Sequence, residues 1–410
     1  MDFNDTPQEA SFRAEVRAFL DKNATRKAGA NAAVRARFVD DDVIRRAKDW
    51  QAKKAAAGFA GMTWPKKWGG REATPIQQVI YNQEEQGYVV PRGVFEIGLG
   101  MCIPTMMAYA KPEQLERYVA PALRGEEVWC QLFSEPAGGS DLAALRTRAE
   151  PDGEDWVING QKIWTSGAHF ADYGIVVVRT DPNAKKHEGL SFFFLDMKSP
   201  GVEVRRIKQI SGSSNFNEVF FTNVRVPDAQ RLGKVGDGWK VSITTLMNER
   251  LAVGDAPGPD VDDIFQLART VELDGEPAIR NAAVREKIAT WYCQAQGLKY
   301  AKFRTITALS RGQTPGPESA IPKVVSASKL QDIASFGMDL LGMSGGVMDP
   351  DLTPMNGWFQ DAMLYSPGMR IAGGTDEVLR NIIAERVLGM PGDVRVDKDV
   401  PFNKIPGGKR

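Results

Sequence analysis

The sequence predicts an α+β protein with an N-terminal helical domain, a middle antiparallel β-barrel domain and a C-terminal four-helix bundle. Three observations predict it. The flanking regions carry apolar residues at helical spacing. The middle carries short β-branched and aromatic runs cut by Gly, Asn and Asp. At 410 residues the chain is too long for one core. The expected boundaries are 1–127, 128–235 and 236–390, with a tail over 391–410 read as extended or poorly ordered.

The N-terminal reading rests on Phe12, Val16, Phe19 and Leu20, which fall three and four apart and make one stripe. Helices are also expected over Val43 to Ala57 and Pro75 to Gly87, separated by a loop whose breakers are Pro65, Gly69 and Gly70. Another begins near Pro112, where proline is tolerated in the first turn. In the middle, Asn159-Gly160 between Trp156-Val157-Ile158 and Lys162-Ile163-Trp164 predicts a hairpin turn. Further strands are expected over Gly174 to Arg179, Leu190 to Leu195, Val202 to Ile207 and Glu218 to Val224. Beyond them, Trp239 to Gly254, Ala278 to Gly312, Ile321 to Leu341 and Thr375 to Leu388 are long helix candidates.

Lys+Arg and Asp+Glu stand at 52 each, so no net field draws nucleic acid or an acidic membrane surface. Cys102, Cys130 and Cys293 are too few and too far apart for a disulfide framework; they are expected as buried small apolar groups in a reducing, cytoplasmic chain. With only His169 and His187, no metal site is expected. The N-terminus lacks the apolar core of a signal peptide, and no run is long enough to span a bilayer.

Four segments could carry chemistry. In Phe133 to Asp141 (FSEPAGGSD) the glycines leave amides free to face an anion such as a pyrophosphate, though a plain turn looks the same. In Gly160 to Gly167 (GQKIWTSG) a strand would present Trp164 and Ser166 on one face. A flat indole beside a hydroxyl can cover a heterocycle, or the Trp is simply core. In Met247 to Gly254 (MNERLAVG) the acid Glu249 sits beside Arg250 in apolar surroundings, where desolvation raises proton affinity toward general-base range; a structural ion pair is the alternative. In Ile371 to Leu388, Gly373-Gly374 precede Thr375, a candidate N-cap, and Glu377 follows in the first turn.

In this order the segments resemble the acyl-CoA dehydrogenase family over nearly the whole chain. FSEPAGGSD resembles the family's TEPxAGSD signature, INGQKIWTSG its NGxKxW strand pair, and IAGGTDEVLRNIIAERVLG its C-terminal signature. The resemblance implies bound FAD and the α,β-dehydrogenation of an acyl-CoA thioester to the trans-2-enoyl-CoA, in lipid degradation. Glu249 would be the base, Gly373 would donate its N–H to the thioester carbonyl, and Arg250 would lie at the substrate. It places Phe133, Ser134, Gly139, Ser140, Trp164, Ser166, Gly345, Gly346, Thr375 and Glu377 at FAD. It also implies electron-transferring flavoprotein as acceptor and assembly as a homotetramer or dimer, or as a heterotetramer.

Many members carry the catalytic Glu directly before the Gly-Thr of the C-terminal signature, and this chain has Gly373 there. A minority place it in a Glu-Arg pair on a bundle helix, as Glu249-Arg250 would be. Such members often take long, branched or steroid side-chain thioesters. An RxxFG-like segment is absent over Tyr300 to Gly316, which bears on contacts from a neighbouring subunit. An acyl-CoA oxidase, a flavin monooxygenase and a subunit of a heteromeric dehydrogenase are the alternatives on the same scaffold.

Overall fold

The computed structural model describes residues 5–27, 39–252, 258–311, 316–397 and 399–405, with the side chains at 250–252 and 309–310 outside that set. Helix α1 (Pro7–Asn23) starts with a capping box. The Thr6 hydroxyl accepts from the Glu9 N–H at 3.2 Å, and the Glu9 carboxylate accepts from the Thr6 N–H at 2.7 Å. Its stripe buries Phe12, Val16 and Leu20. A short strand, β1 (Thr25–Arg26), leads on to α2 (Asp41–Ala56), capped by Asp40. Helix α3 (Pro75–Glu85) repeats the capping box with Thr74 and Gln77, and β2 (Tyr88–Val89) returns to pair with β1. A π-helical turn over Gly98–Cys102 feeds α4 (Ile103–Tyr109), and α5 (Pro112–Arg124) ends on Gly125 in the left-handed region.

The middle comprises β3 (Trp129–Leu132), β4 (Arg148–Asp152), β5 (Asp155–Ser166), β6 (Tyr173–Arg179), β7 (Leu190–Asp196), β8 (Val202–Ile207) and β9 (Phe216–Pro227). Helices α6 (Gly238–Ala252) and α7 (Val261–Thr270) follow, then a ribbon of β10 (Glu272–Leu273) and β11 (Glu276–Pro277). The chain continues through α8 (Ala282–Ser310), α9 (Ala320–Leu341), α10 (Trp358–Met369) and α11 (Asp376–Ile382), which runs into a second π-helical turn over Ile383–Val387.

These elements form two compact units. One gathers α1, α3 and α7 to α11 with both small ribbons. The other gathers α2, α4 to α6, the large sheet and the segment from Asp393 onward. In the helical unit, α7 to α10 close over Ile264, Leu267, Val284, Ile288, Trp291, Ile333 and Phe359. Gly337 of α9 lets the Phe359 ring approach, since a Cβ there would lie 2.1 Å from it. Helices α7 and α10 were not anticipated. The first is short, and the second carries Pro367 in its last turns, a residue that reads as a helix breaker.

The large sheet runs β3-β6-β4-β5-β9-β8, with β7 on the far side of β6. Most pairings are antiparallel as expected, but β3 and β4 both lie parallel to β6. Strand β3 leaves through a long loop rather than a hairpin, so the chain is free to return in the same sense. Alternate residues of β6 and β7 enter two cores. Ile175, Val177, Phe192 and Phe194 pack with α4 to α6, while Val176, Val178, Phe193 and Leu195 pack against β9 residues. Burial on both faces explains the unbroken apolar runs in those strands.

The expected Asn159-Gly160 hairpin does not form. Asn159 and Gly160 lie inside β5, and the chain instead reverses between Asp152 and Asp155, with Gly153 at φ 66° in the first loop position. The Asn159 side chain accepts from the Asn223 N–H at 2.9 Å. Gly160, at φ 151°, marks a register shift where β5 presses on β4; a Cβ there would meet Thr147 Oγ1 at 2.5 Å. Cys102 and Cys130 are buried as expected, whereas Cys293 on α8 is exposed.

The exit of β3 is fixed to β5 by a buried ion pair. Lys162 Nζ donates to Glu135 Oε1 at 2.8 Å and to the Phe133 carbonyl at 3.0 Å, and the Lys162 side chain is 0% exposed. Glu135 also accepts from the N–H groups of Arg146 and Thr147, at 2.6 and 2.9 Å. Burial disfavours its charge, but Lys162 and these donors outweigh it and hold the carboxyl below the usual range. Lys162→Met should therefore cost about 3–5 kcal/mol by stranding a buried charge, and adding Glu135→Leu should recover part of that loss. Denaturant midpoints of the single and double variants test this. Gly160→Ala should cost roughly 1–3 kcal/mol through its clash with Thr147. Gly153→Asn, at a position with open space, should change stability by less than about 1 kcal/mol in the same assay.

Candidate active site

In the sheet unit, the loop after β3 carries Phe133, Ser134, Gly139 and Ser140. Phe133 turns its ring into the core, 5.7 Å edge-on to Phe192, while its carbonyl is taken by Lys162. The Ser134 carbonyl accepts from the Ile163 N–H at 2.8 Å, which sews this segment to β5. Glu135 and Gly138 exchange backbone hydrogen bonds of 3.0 Å and close a tight turn. Past that turn Gly139 and Ser140 are exposed, and a Cβ on Gly139 would meet nothing within 4 Å. Among the described residues, no protein acceptor takes their N–H groups. Two free amides and a hydroxyl on a rigid turn can bind an anion.

Trp164 and Ser166 lie where β5 is irregular. The pairing with β9 shifts between Lys162 and Thr165, and Trp164 takes φ 59°. This bulge alters the expected same-face alternation: Trp164 is 55% exposed and meets Phe216 edge-on, while Ser166 is half-buried opposite Phe216. A bulky residue at positive φ is unfavourable, and β-bulges commonly re-aim side chains at functional sites. Beneath it, Asn217 is fully buried. It donates to the Thr165 carbonyl at 2.8 Å and meets His169 Nδ1 at 3.1 Å. Among the described residues, Thr165 Oγ1 and His169 Nε2 are buried without hydrogen-bond partners. Burial pulls the His169 imidazole below its usual range. An exposed indole on a bulged strand, in the same unit as a turn with free amides, fits a flat heterocycle that carries phosphates.

Glu249 lies on α6 in the same unit and is partly buried. The helix is pinned by hydroxyl pairs: Thr105 of α4 to Thr245 at 2.9 Å, fully buried, and Tyr109 to Thr244 at 2.9 Å. Glu249 stands one turn beyond Thr245, on the same helix face. The π-helical turn before α4 packs against α6, and such turns often mark functional sites. The side chain of Arg250 lies outside the described residues.

In the helical unit, Gly373 and Gly374 take φ 65° and 95°, and the Thr375 hydroxyl caps α11 by accepting from the Val378 N–H at 3.2 Å. Lys323 donates to the Gly374 carbonyl at 2.6 Å. Glu377 is exposed, and its carboxyl is held below the usual range by its own backbone N–H and the Thr375 hydroxyl. The buried acid of this turn is its neighbour Asp376, paired with Arg370 at 2.7 Å. Gly345 and Gly346 form a 3-10 turn after α9. Gln360 backs that turn by donating to the carbonyls of Ser344 and Val347.

Sequence reasoning missed Lys162, Glu135, Asn217, Asp376 and Lys323. Lys162, Asn217 and Lys323 hold the carbonyls of Phe133, Thr165 and Gly374, while Glu135 and Asp376 pair with Lys162 and Arg370. The one available signal was Lys162, which falls in the same alternating register as the buried Ile158. Among the described residues no group could hold a metal, and no helix is long and apolar enough to cross a membrane.

The chain matches the acyl-CoA dehydrogenase N-terminal domain over residues 6–126, the middle domain over 130–224 and the C-terminal domain over 236–388. It is 38% identical to acyl-CoA dehydrogenase FadE34 of Mycobacterium tuberculosis over 83% of this chain, although it spans only 46% of that protein. It is 33% identical to acyl-CoA dehydrogenase IpdE1 of the same organism, over 94% of this chain and 98% of the relative. The Tcur3481-Tcur3483 steroid ACAD superposes with a TM-score of 0.77 at 26% identity, covering 96% of this chain and 100% of that one. Domain by domain and along its full length, then, the chain belongs to the acyl-CoA dehydrogenase family of FAD-dependent oxidoreductases.

Proposed function

We propose that the protein removes two hydrogens from the α and β carbons of an acyl-CoA thioester, giving the trans-2-enoyl-CoA, with Glu249 as the base. The observation that carries this reading is the place of Glu249: a partly buried carboxylate one turn beyond Thr245 on a pinned helix, in a chain whose C-terminal signature has glycine at position 373. A carboxylate held on a fixed helix can take the weakly acidic α-proton of a thioester bound beside it. That proton passes to Glu249, and the electron pair left behind forms the new double bond as the β-hydrogen departs. FAD, when bound, accepts that hydrogen as hydride. The Gly373 N–H donates to the thioester oxygen, where charge develops.

Ser134, Gly139, Ser140, Trp164 and Ser166 hold FAD in this reading, with Phe133 supporting from the core, and Gly345, Gly346, Thr375 and Glu377 are also assigned to FAD contacts. Arg250 lies at the substrate beside Glu249. The acyl group is long, branched or a steroid side chain. Glycine at 373 removes bulk beside the α-carbon, and the superposed steroid ACAD carries its substrate class in its name. The electron acceptor is electron-transferring flavoprotein in a cytoplasmic setting, and the assembly is a homotetramer, a dimer or a heterotetramer with an unlike subunit.

Glu249→Gln should lower turnover by about 10³-fold while FAD stays bound; near-normal turnover in that variant would overturn the assignment of the base. In an anaerobic bleaching series across straight-chain, branched and steroid side-chain acyl-CoAs, the flavin band should fade fastest with the branched or steroid thioesters. A preference for short straight chains would remove the substrate class.

A further inference from the structure

Within the tail expected to be extended or poorly ordered, Asp397 and residues 399–403 are held against the sheet unit. Their contacts converge on Arg179 and on the loop between β6 and β7, which reaches the candidate anion-binding turn through Asp141. Lys186 links tail and turn: its ammonium donates to Asp141 Oδ2 at 2.6 Å and also to Asp397. Asp141 is the last residue of FSEPAGGSD. Farther along, Pro401 bridges Lys185, the Phe402 N–H donates to the Ala184 carbonyl at 3.0 Å and the Asn403 N–H to the Pro182 carbonyl at 3.0 Å.

Beneath Phe402 lies Arg179, at 4% exposure. Its guanidinium carbon sits 3.5 Å from the Phe402 ring centroid. Its nitrogens donate to the carbonyls of Ala143 at 2.6 Å, Leu145 at 3.2 Å and Lys186 at 3.2 Å. Among the described residues no carboxylate pairs with it directly, and burial pulls it down to about 10. A buried cation held only by carbonyls depends on the aromatic face that covers it and keeps water out. Phe402, 7% exposed, is that cover.

We infer that Asp397 and residues 399–403 act as a strap that sets the candidate anion-binding loop. Phe402 seats Arg179, Arg179 draws in the carbonyls of Ala143 and Leu145, and Lys186 ties Asp141 to Asp397, so that Gly139 and Ser140 stand ready for the phosphates of FAD. Phe402 and Lys186 are positioning residues and do not touch the cofactor. The inference rests on the assignment of that loop to FAD, but the strap is measurable without it.

The test uses the full chain freed of flavin. FAD affinity is read by flavin fluorescence, and local order by hydrogen exchange over 138–146. Phe402→Ala should weaken FAD binding by about tenfold and speed exchange in that stretch more than elsewhere in the apo chain. Phe402→Tyr, which keeps the ring, should restore both. A chain ending after Val396 should match Phe402→Ala, and Lys186→Met, at the polar end of the strap, carries the same readouts if Phe402→Ala does not fold. Asn403→Ala, which removes only a hydrogen bond to Asn183, should resemble the parent. Unchanged FAD affinity and unchanged exchange in Phe402→Ala and in the shortened chain would overturn the strap. A parent that binds no FAD, yet shows faster exchange on loss of Phe402, would keep the strap and remove the cofactor assignment.

Discussion

The buried pair of Lys162 and Glu135 is the interaction on which the sheet unit's chemistry depends. One ammonium holds the Phe133 carbonyl and the Glu135 carboxylate, and that carboxylate holds the N–H groups of Arg146 and Thr147. The two ends of the long loop after β3 are thereby brought to one point. A backbone loop of this length has no intrinsic reason to adopt one shape, because ordering each residue costs about 1–2 kcal/mol. Charge-assisted hydrogen bonds in a dry site are strong enough to select one, and their geometry leaves little freedom. The pair fits poorly as a source of stability alone, since packed apolar residues could fill the same space at less electrostatic cost. Its yield is the fixed direction of Gly139 and Ser140 on one side and of Trp164 on the other.

The same device recurs elsewhere in the chain. The groups that would meet a ligand are glycines, a serine and an aromatic, and buried or half-buried polar groups behind them fix their backbone. Asn217 holds the Thr165 carbonyl and so the bulge, Lys323 holds the Gly374 carbonyl, and Gln360 holds the turn of Gly345 and Gly346. The hydroxyl pairs between α4 and α6 do this for Glu249 with neutral groups.

Much of this architecture was legible in the sequence, where one local cause dominates. Thr6-Pro7 and Thr74-Pro75 announce helix starts, and the stripe of Phe12, Val16 and Leu20 announces a buried face. The runs of β6 and β7 announce strands, and the ordered motifs announced the family. Asn159-Gly160 misled because its turn propensity is weaker than the pairing of an unbroken β5 with β4 and β9, and because Gly160 is needed for close approach to Thr147. The sense of β3 against β6 and the aim of Trp164 were not legible, since both follow from contacts between residues far apart in sequence. The partner of Lys162 was hidden for the same reason, as was the anchoring of the final segment.

The bridge from Lys186 to Asp397 joins residues 211 positions apart. During synthesis the sheet can emerge and pair long before that partner exists, because chains grow at only about 5–20 residues per second and domains begin folding as they emerge. Arg179 must therefore remain uncovered through the making of the whole helical region, and Asp141 must wait for half of its clasp. The order of manufacture becomes an order of assembly, in which the sheet forms early and the closing stretch arrives last to fasten a loop made seconds before.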